Sequence, residues 1–213
     1  MDHKKVVPGS RFFFFLTLAF TAWLFLSDVP ATATVAKAPA AASSSWVKTE
    51  LAFEPNLGQA DPAVKYLARG PGYSLFLTPR ETVLSLTSLD SKPGQAMTPA
   101  VLRLRFGDGE GETDLIGEAP TEAKVNYILG RDRSQWRTNI PTFAKVSRPG
   151  VYKGVDAVFY GSQGRLEYDL AVAPGADPSS IKLVFEGADS IKMDDQGGLE
   201  IKVGDGRVIQ LPP

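Results

Sequence analysis

Few residue types in this chain can do chemistry. There is no cysteine, and the one histidine, His3, lies in the extreme N-terminal segment. Loss of that segment leaves neither imidazole nor thiol. Ser-His-Asp and Cys-His arrangements are then out of reach, as is every imidazole or thiolate metal site. Carboxylate, hydroxyl and lysine chemistry remain. The best constellation is Asp156, Glu167 and Asp169, all on the polar face of a hairpin read from GVDAVFYGSQGRLEYDLAV at residues 154–172. Glu167 and Asp169 are two apart on one strand, which sets their Cα atoms roughly 7 Å apart. Glycosidases place their paired carboxyls about 5–5.5 Å apart when retaining and 6.5–9.5 Å apart when inverting. A solvated strand face with cross-strand partners is the plainer reading and outweighs the catalytic one, because no flanking motif supports catalysis. Lys182 is the expected cation of this cluster.

Two further sets are weaker. GDGEG at residues 107–111, followed by Glu112 and Asp114, alternates acids with glycines as calcium loops do. It lacks the EF-hand spacing and its bidentate Glu, so it reads as a turn and no metal is expected. Trp46, Trp136, Tyr152 and Tyr160 form a candidate ligand set that, exposed together, would stack on sugars or grip a partner. Taken singly they are core and turn aromatics. Gly70-Pro71-Gly72 lacks the Lys-Ser/Thr of a phosphate loop. No cofactor is expected.

The elements that position these residues are strands. Val155–Tyr160 and Arg165–Val172 are rich in β-branched and aromatic residues, with Gly-Ser-Gln-Gly between them. If Gly161 and Gly164 flank the turn, Phe159 faces Leu166, Ala157 faces Tyr168 and Val155 faces Leu170, all on one apolar face. The other face then carries Tyr160 with Arg165, Val158 with Glu167, and Asp156 with Asp169. A one-residue slip would mix the faces. A third strand at residues 181–186 points Ile181, Leu183 and Phe185 inward, and antiparallel pairing beside residues 165–172 would bring Lys182 to Asp169.

The rest of the chain repeats the theme. Tyr73, Leu75 and Leu77 share a face, and residues 82–87 and 101–106 alternate in the same way, the latter setting Arg103 and Arg105 against Leu102, Leu104 and Phe106. Residues 121–124 read as a helical turn before an ambiguous VNYIL, and residues 131–137 as another turn around Trp136. No window carries a long apolar pattern at the helical period. Many short strands punctuated by 20 Gly and 16 Pro point to an all-β fold, an antiparallel β-sandwich. A net charge of −1 favours neither nucleic acid nor an acidic membrane.

Residues 1–36 read as a secretory signal. A basic start (His3, Lys4, Lys5, Arg11) precedes an apolar run at residues 12–26, and Ala31-Thr32-Ala33 fits the small-x-small cleavage pattern. The run is shorter than the ~20 residues of a spanning helix. A signal helix, cleavage near Ala33 or Ala36, and secretion with no membrane contact afterwards are therefore expected. Residues 37–49 form an Ala/Ser-rich flexible linker, and residues 50–213 the β-sandwich domain.

FEPNLGQAD (residues 53–61), YLARGPGYSLFLT (66–78), KVNYILG and WRTNIPTFAKV (within 124–146) and the stretch from Gly154 through VAPGADP resemble the N-terminal domain of bacterial secreted proteins that carry SBBP-type β-propeller repeats. The resemblance covers nearly all of the chain after the linker. It implies export and an all-β domain of unknown function ahead of a propeller. The chain departs from the pattern by stopping at Leu211-Pro212-Pro213 without repeats, as a fragment, a truncated product or a solitary version would. The expected function is a secreted, non-enzymatic module for adhesion, display or packing against a downstream propeller. The alternative is a carbohydrate-binding or carbohydrate-active module using Glu167, Asp169 and the aromatics. Partners are a protein or a surface polysaccharide.

Overall fold

The computed structural model describes residues 5–8, 13–17, 51–87, 100–107 and 112–212, with side chains from residue 51 onward. They form fifteen strands: β1 (Lys5–Pro8), β2 (Phe13–Thr17), β3 (Phe53–Pro55), β4 (Tyr66–Gly70), β5 (Tyr73–Leu77), β6 (Thr82–Leu86), β7 (Ala100–Phe106), β8 (Ile116–Tyr127), β9 (Arg137–Tyr152), β10 (Val155–Ser162), β11 (Arg165–Val172), β12 (Lys182–Glu186), β13 (Ser190–Met193), β14 (Leu199–Val203) and β15 (Gly206–Leu211). Two short 3₁₀ turns, Arg133–Gln135 and Pro178–Ser180, are the only helical elements among the described residues. The all-β, antiparallel expectation therefore holds. The strands do not divide into two hydrogen-bonded sheets. They follow one path, β1-β12-β7-β6-β5-β4-β3-β9-β10-β11-β2-β15-β14-β13, with β8 beside β9.

The expected signal helix and linker lie mostly outside the described residues. The two described parts of residues 1–36, β1 and β2, are strands. Trp46 and most of the GDGEG stretch also lie outside them.

Period-2 alternation builds the core. Tyr73, Leu75 and Leu77 of β5 and Thr82, Leu84 and Leu86 of β6 are buried while the residues between them are half-exposed. The hairpin adds Val155, Ala157, Phe159, Leu166 and Tyr168 to the same cluster. Outside it, Arg103 and Arg105 pair with Glu81 and Glu186. The 3₁₀ turn expected around Trp136 is present, capped by Asp132 Oδ1, which accepts from Ser134 N at 2.9 Å. The helical turn expected at residues 121–124 is strand instead. Thr121 and Thr142 hydroxyls meet at 2.5 Å and Thr142 Oγ1 donates to Ala123 O, so pairing with β9 overrides local preference.

The hairpin register differs from expectation. Ser162 pairs with Arg165, and a two-residue Gln163-Gly164 turn closes it with φ of 52° and 79°. Two positive-φ residues make the primed turn whose twist matches that of the strands, which a four-residue Gly-Ser-Gln-Gly loop does not supply. Gly161 is glycine for a different reason: a Cβ there would lie 2.5 Å from Leu51 Cβ. The pairs are Phe159 with Tyr168, Ala157 with Leu170 and Val155 with Val172. The shift is two residues, so every side chain keeps its expected face.

Candidate functional site

The shift in register redistributes the acids. Asp156 faces Ala171, and Asp169 faces Val158. The expected opposition of Asp156 and Asp169 does not occur, and Asp156 accepts instead from Gly150 N at 2.7 Å, steadying the irregularity where β9 meets β10. Lys182 is likewise displaced from the cluster. Its strand, β12, pairs with β7 and β1 and not with β11.

Two of the carboxylates do come together, around one of the expected aromatics. Tyr160 faces Glu167 directly, and its hydroxyl donates to Asp169 Oδ1 at 3.1 Å. Lys145, opposite Tyr160 on β9, places Nζ 5.5 Å from the tyrosine ring centroid. Desolvation and then the hydrogen bond to Asp169, with the charges of Asp169 and Glu167 behind it, push the Tyr160 hydroxyl well above the usual phenol range. It is a proton donor at neutral pH and not a base. Glu167 is only 3% exposed, which corrects the expectation of a solvated strand face, and its Oε1 has no hydrogen-bond partner among the described residues. The group can accept hydrogen bonds from hydroxyl or amide donors.

The other aromatics are elsewhere. Tyr152 is buried, its single hydroxyl proton within reach of Gly107 O (2.7 Å) and Lys182 O (2.6 Å) while its oxygen accepts from Lys182 N (3.0 Å). It ties β7 to β12 and cannot stack on a ligand. Trp136 sits at the far end of the β8–β9 ribbon, where Nε1 donates to Gly130 O at 3.4 Å and the Arg133 guanidinium lies 5.4 Å from its ring.

Exposed apolar side chains stand there: Ile128 is 59% exposed and Leu129 67%, and Leu57 is 54% exposed. Arg137 Nε donates to Leu57 O at 3.0 Å and faces Tyr127 across the ribbon, which brings the Leu57 loop to the same end. The loop that joins β8 to β9 also carries Arg131 and Arg133, with Asp132 as its single acid. At the ribbon's other end an open cleft of about 470 Å³ is lined by Lys65, Tyr66, Asp114, Leu115 and Ile116 with Pro55 and Pro79.

Residues 53–213 match a family described as a domain of unknown function, DUF7948. The chain belongs to that family. No curated protein and no solved structure matches it. The DUF7948 match opens at Phe53, the first residue of β3, so it takes in β3 to β15 and leaves β1 and β2 outside.

Three features of the DUF7948 domain carried no sequence signal. Arg148 lies on the core face of β9 at 1% exposure. Its Nη2 donates to Thr78 O at 2.5 Å and Glu81 O at 3.2 Å, and its Cζ sits 5.8 Å from both the Phe106 and Phe159 ring centroids. Desolvation lowers its pKa to about 10, opposed by the charge of Glu81. Glu54, buried on β3, accepts from Tyr127 Oη at 2.6 Å and from Arg69 Nη1 at 3.2 Å, pinning the ribbon to the β3–β4 hairpin. Lys145 joins Tyr160 only through cross-strand pairing. A lone Arg, Glu or Lys within a strand reads as surface until its partners across the sheet are known.

Proposed function

We propose that this DUF7948 domain is a secreted, non-enzymatic β-module that packs against a neighbouring protein domain. The observation that supports the reading is the exposed end of the β8–β9 ribbon, where Ile128 and Leu129 stand exposed in a loop that carries Arg131 and Arg133, and where Arg137 ties in the exposed Leu57 loop. An apolar patch with a polar rim is the usual anatomy of a protein contact. The pins from Glu54 to Tyr127 and from Arg137 to Leu57 hold it in shape before any partner arrives. The resemblance to the domain that precedes SBBP-type propellers suggests a propeller as the neighbour, and the basic, apolar N-terminus suggests export. A photocrosslinking residue at position 129, in the full chain produced by its own cells, tests the reading. A discrete protein adduct from position 129 that is missing from position 175, on an exposed turn, is expected. No adduct, or the same adducts from both positions, would overturn it.

A carbohydrate-binding role keeps one specific observation, the Tyr160 hydroxyl set between Asp169 and Glu167 with Lys145 over its ring. Under that reading, binding to surface polysaccharide is lost in Tyr160→Phe and Asp169→Asn. Binding unchanged in both excludes it.

A further inference from the structure

Strand β2 joins two parts of the fold that are not adjacent on the hydrogen-bonded path without it. Its backbone pairs antiparallel with Glu167–Asp169 of β11 on one side and with Ile209–Leu211 of β15 on the other. Two strand spacings of ~4.8 Å lie between β11 and β15, so the gap is one strand wide. Both walls fall inside the family domain, residues 53–213, and the strand between them falls outside it. That strand also lies within the apolar run read as a secretion signal. When the signal is removed, backbone N–H and C=O groups face the gap from both walls. Unpaired edges of this kind capture extended chain.

Side-chain chemistry says what sort of chain fits. Glu167 Oε1 and Gln210 Nε2 belong to residues 3% and 1% exposed, and neither atom has a hydrogen-bond partner among the described residues. Gln210 Oε1 is already used, accepting from Tyr168 Oη at 3.5 Å. In register, Glu167 lies opposite Phe15 and Gln210 opposite Leu16. Phenylalanine and leucine carry no donor or acceptor, whereas the carboxylate oxygen needs a donor and the amide nitrogen an acceptor. The present strand therefore satisfies the backbone of the gap and leaves one buried polar atom on each of Glu167 and Gln210 without a partner, which native structures rarely tolerate.

We propose that the gap between β11 and β15 is a strand-binding slot. Its occupant in the exported protein is an extended segment of a partner polypeptide, with a hydrogen-bond donor at the place of Phe15 and an acceptor at the place of Leu16. A second copy of this chain is a poor occupant, because its own Phe13–Thr17 repeats the same mismatch. The slot rests on the export and leader removal proposed above but is distinct from the ribbon end, so it can fail while the contact at the ribbon end stands.

The test uses the full chain with Phe14→Pro and Leu16→Pro, which keep the leader but prevent its pairing. Two fluorescein-labelled peptides are titrated by anisotropy: acetyl-Lys-Val-Gln-Thr-Gln-Val-Lys-amide, polar at its centre, and acetyl-Lys-Val-Leu-Phe-Leu-Val-Lys-amide, apolar there. The polar-centred peptide is expected to bind at least tenfold more tightly. Adding Glu167→Leu and Gln210→Leu should abolish or reverse that preference. If the proline chain does not fold, the wild-type full chain with excess polar-centred peptide serves, read by slower amide exchange at residues 167–169 and 209–211. The proposal is overturned by absence of binding or of added protection, by equal affinity for both peptides, by a preference that survives the two leucine substitutions, or by self-association that the polar-centred peptide does not disperse.

Discussion

Replacing Arg148 offers the sharpest test of how this core is held. The guanidinium is buried between Phe106 and Phe159 and reaches two carbonyls of the β5–β6 turn, with no carboxylate within ion-pair distance among the described residues. Two opposing effects of similar size are at work. Lowering its pKa from 12.5 to about 10 corresponds to about 3 kcal/mol of cost to keep the charge, at ~1.36 kcal/mol per pKa unit. Hydrogen bonds from a charged donor contribute ~1.5–3 kcal/mol each, so the pair of them contributes about 3–6 kcal/mol. Arg148→Met removes the charge and the hydrogen bonds but keeps the apolar stem, so it should destabilise by only about 0–3 kcal/mol, the difference between the two effects. Arg148→Ala adds a cavity and should cost about 3–5 kcal/mol. Arg148→Lys keeps a charge to desolvate, yet its point ammonium cannot span both carbonyls, so it should cost more than Met. Urea denaturation midpoints of the four proteins, with slopes compared, read these values. A pH series adds a second check. The unfolded chain holds the Arg148 proton to 12.5 while the folded chain releases it near 10, so the cost is complete below pH 10 and is relieved as pH rises. The wild-type advantage over Arg148→Met should therefore widen by about 1 kcal/mol between pH 9 and pH 11. A Lys variant as stable as wild type, or a Met variant as unstable as Ala, would refute the account of a desolvated fork holding a turn.

Phe159→Ala or Leu166→Ala should each destabilise the fold by ~2–5 kcal/mol, since both side chains are buried in the central cluster; unchanged denaturant midpoints would contradict their place on the core face of the hairpin. Asp156→Ala should loosen the β9–β10 junction by removing the acceptor for Gly150 N, a loss of ~1 kcal/mol visible as faster amide exchange at Gly150 with little change elsewhere. Stability apart from Arg148 should fall above pH 10. Burial raises the hydroxyls of Tyr73, to about 12, and of Tyr168, so the unfolded state loses those protons first; phenolate absorbance rising well ahead of unfolding would count against it. Glu54→Gln should release the ribbon from β3 and speed exchange at Tyr127, leaving the β10–β11 hairpin protected.

What the sequence by itself determined was parity. Alternation assigns each residue of a strand to one of two faces, and Tyr73, Leu75, Leu77, Leu84, Leu102, Phe159 and Leu166 all lie inside as their spacing requires. The same alternation separated Tyr160, Glu167 and Asp169 from the core face, and so put three residues of the candidate site together. Parity fixes register only to within two residues, and a two-residue shift leaves every face unchanged. The choice between registers belonged to turn geometry, where Gln163 and Gly164 both take positive φ, and it separated Asp156 from Asp169. Which strands lie side by side was decided later still. Strand β12 carries the alternation expected of a neighbour of β11, yet it pairs with β7, and this removed Lys182 from the cluster. Burial of the polar groups was likewise a tertiary outcome. Arg148 is at home inside only because the carbonyls of Thr78 and Glu81, some seventy positions earlier in the chain, turn toward it. Glu167 and Gln210 border the same gap from strands more than forty residues apart. Contacts at such separations leave no trace in local spacing, since each residue's own neighbours in sequence are compatible with either outcome.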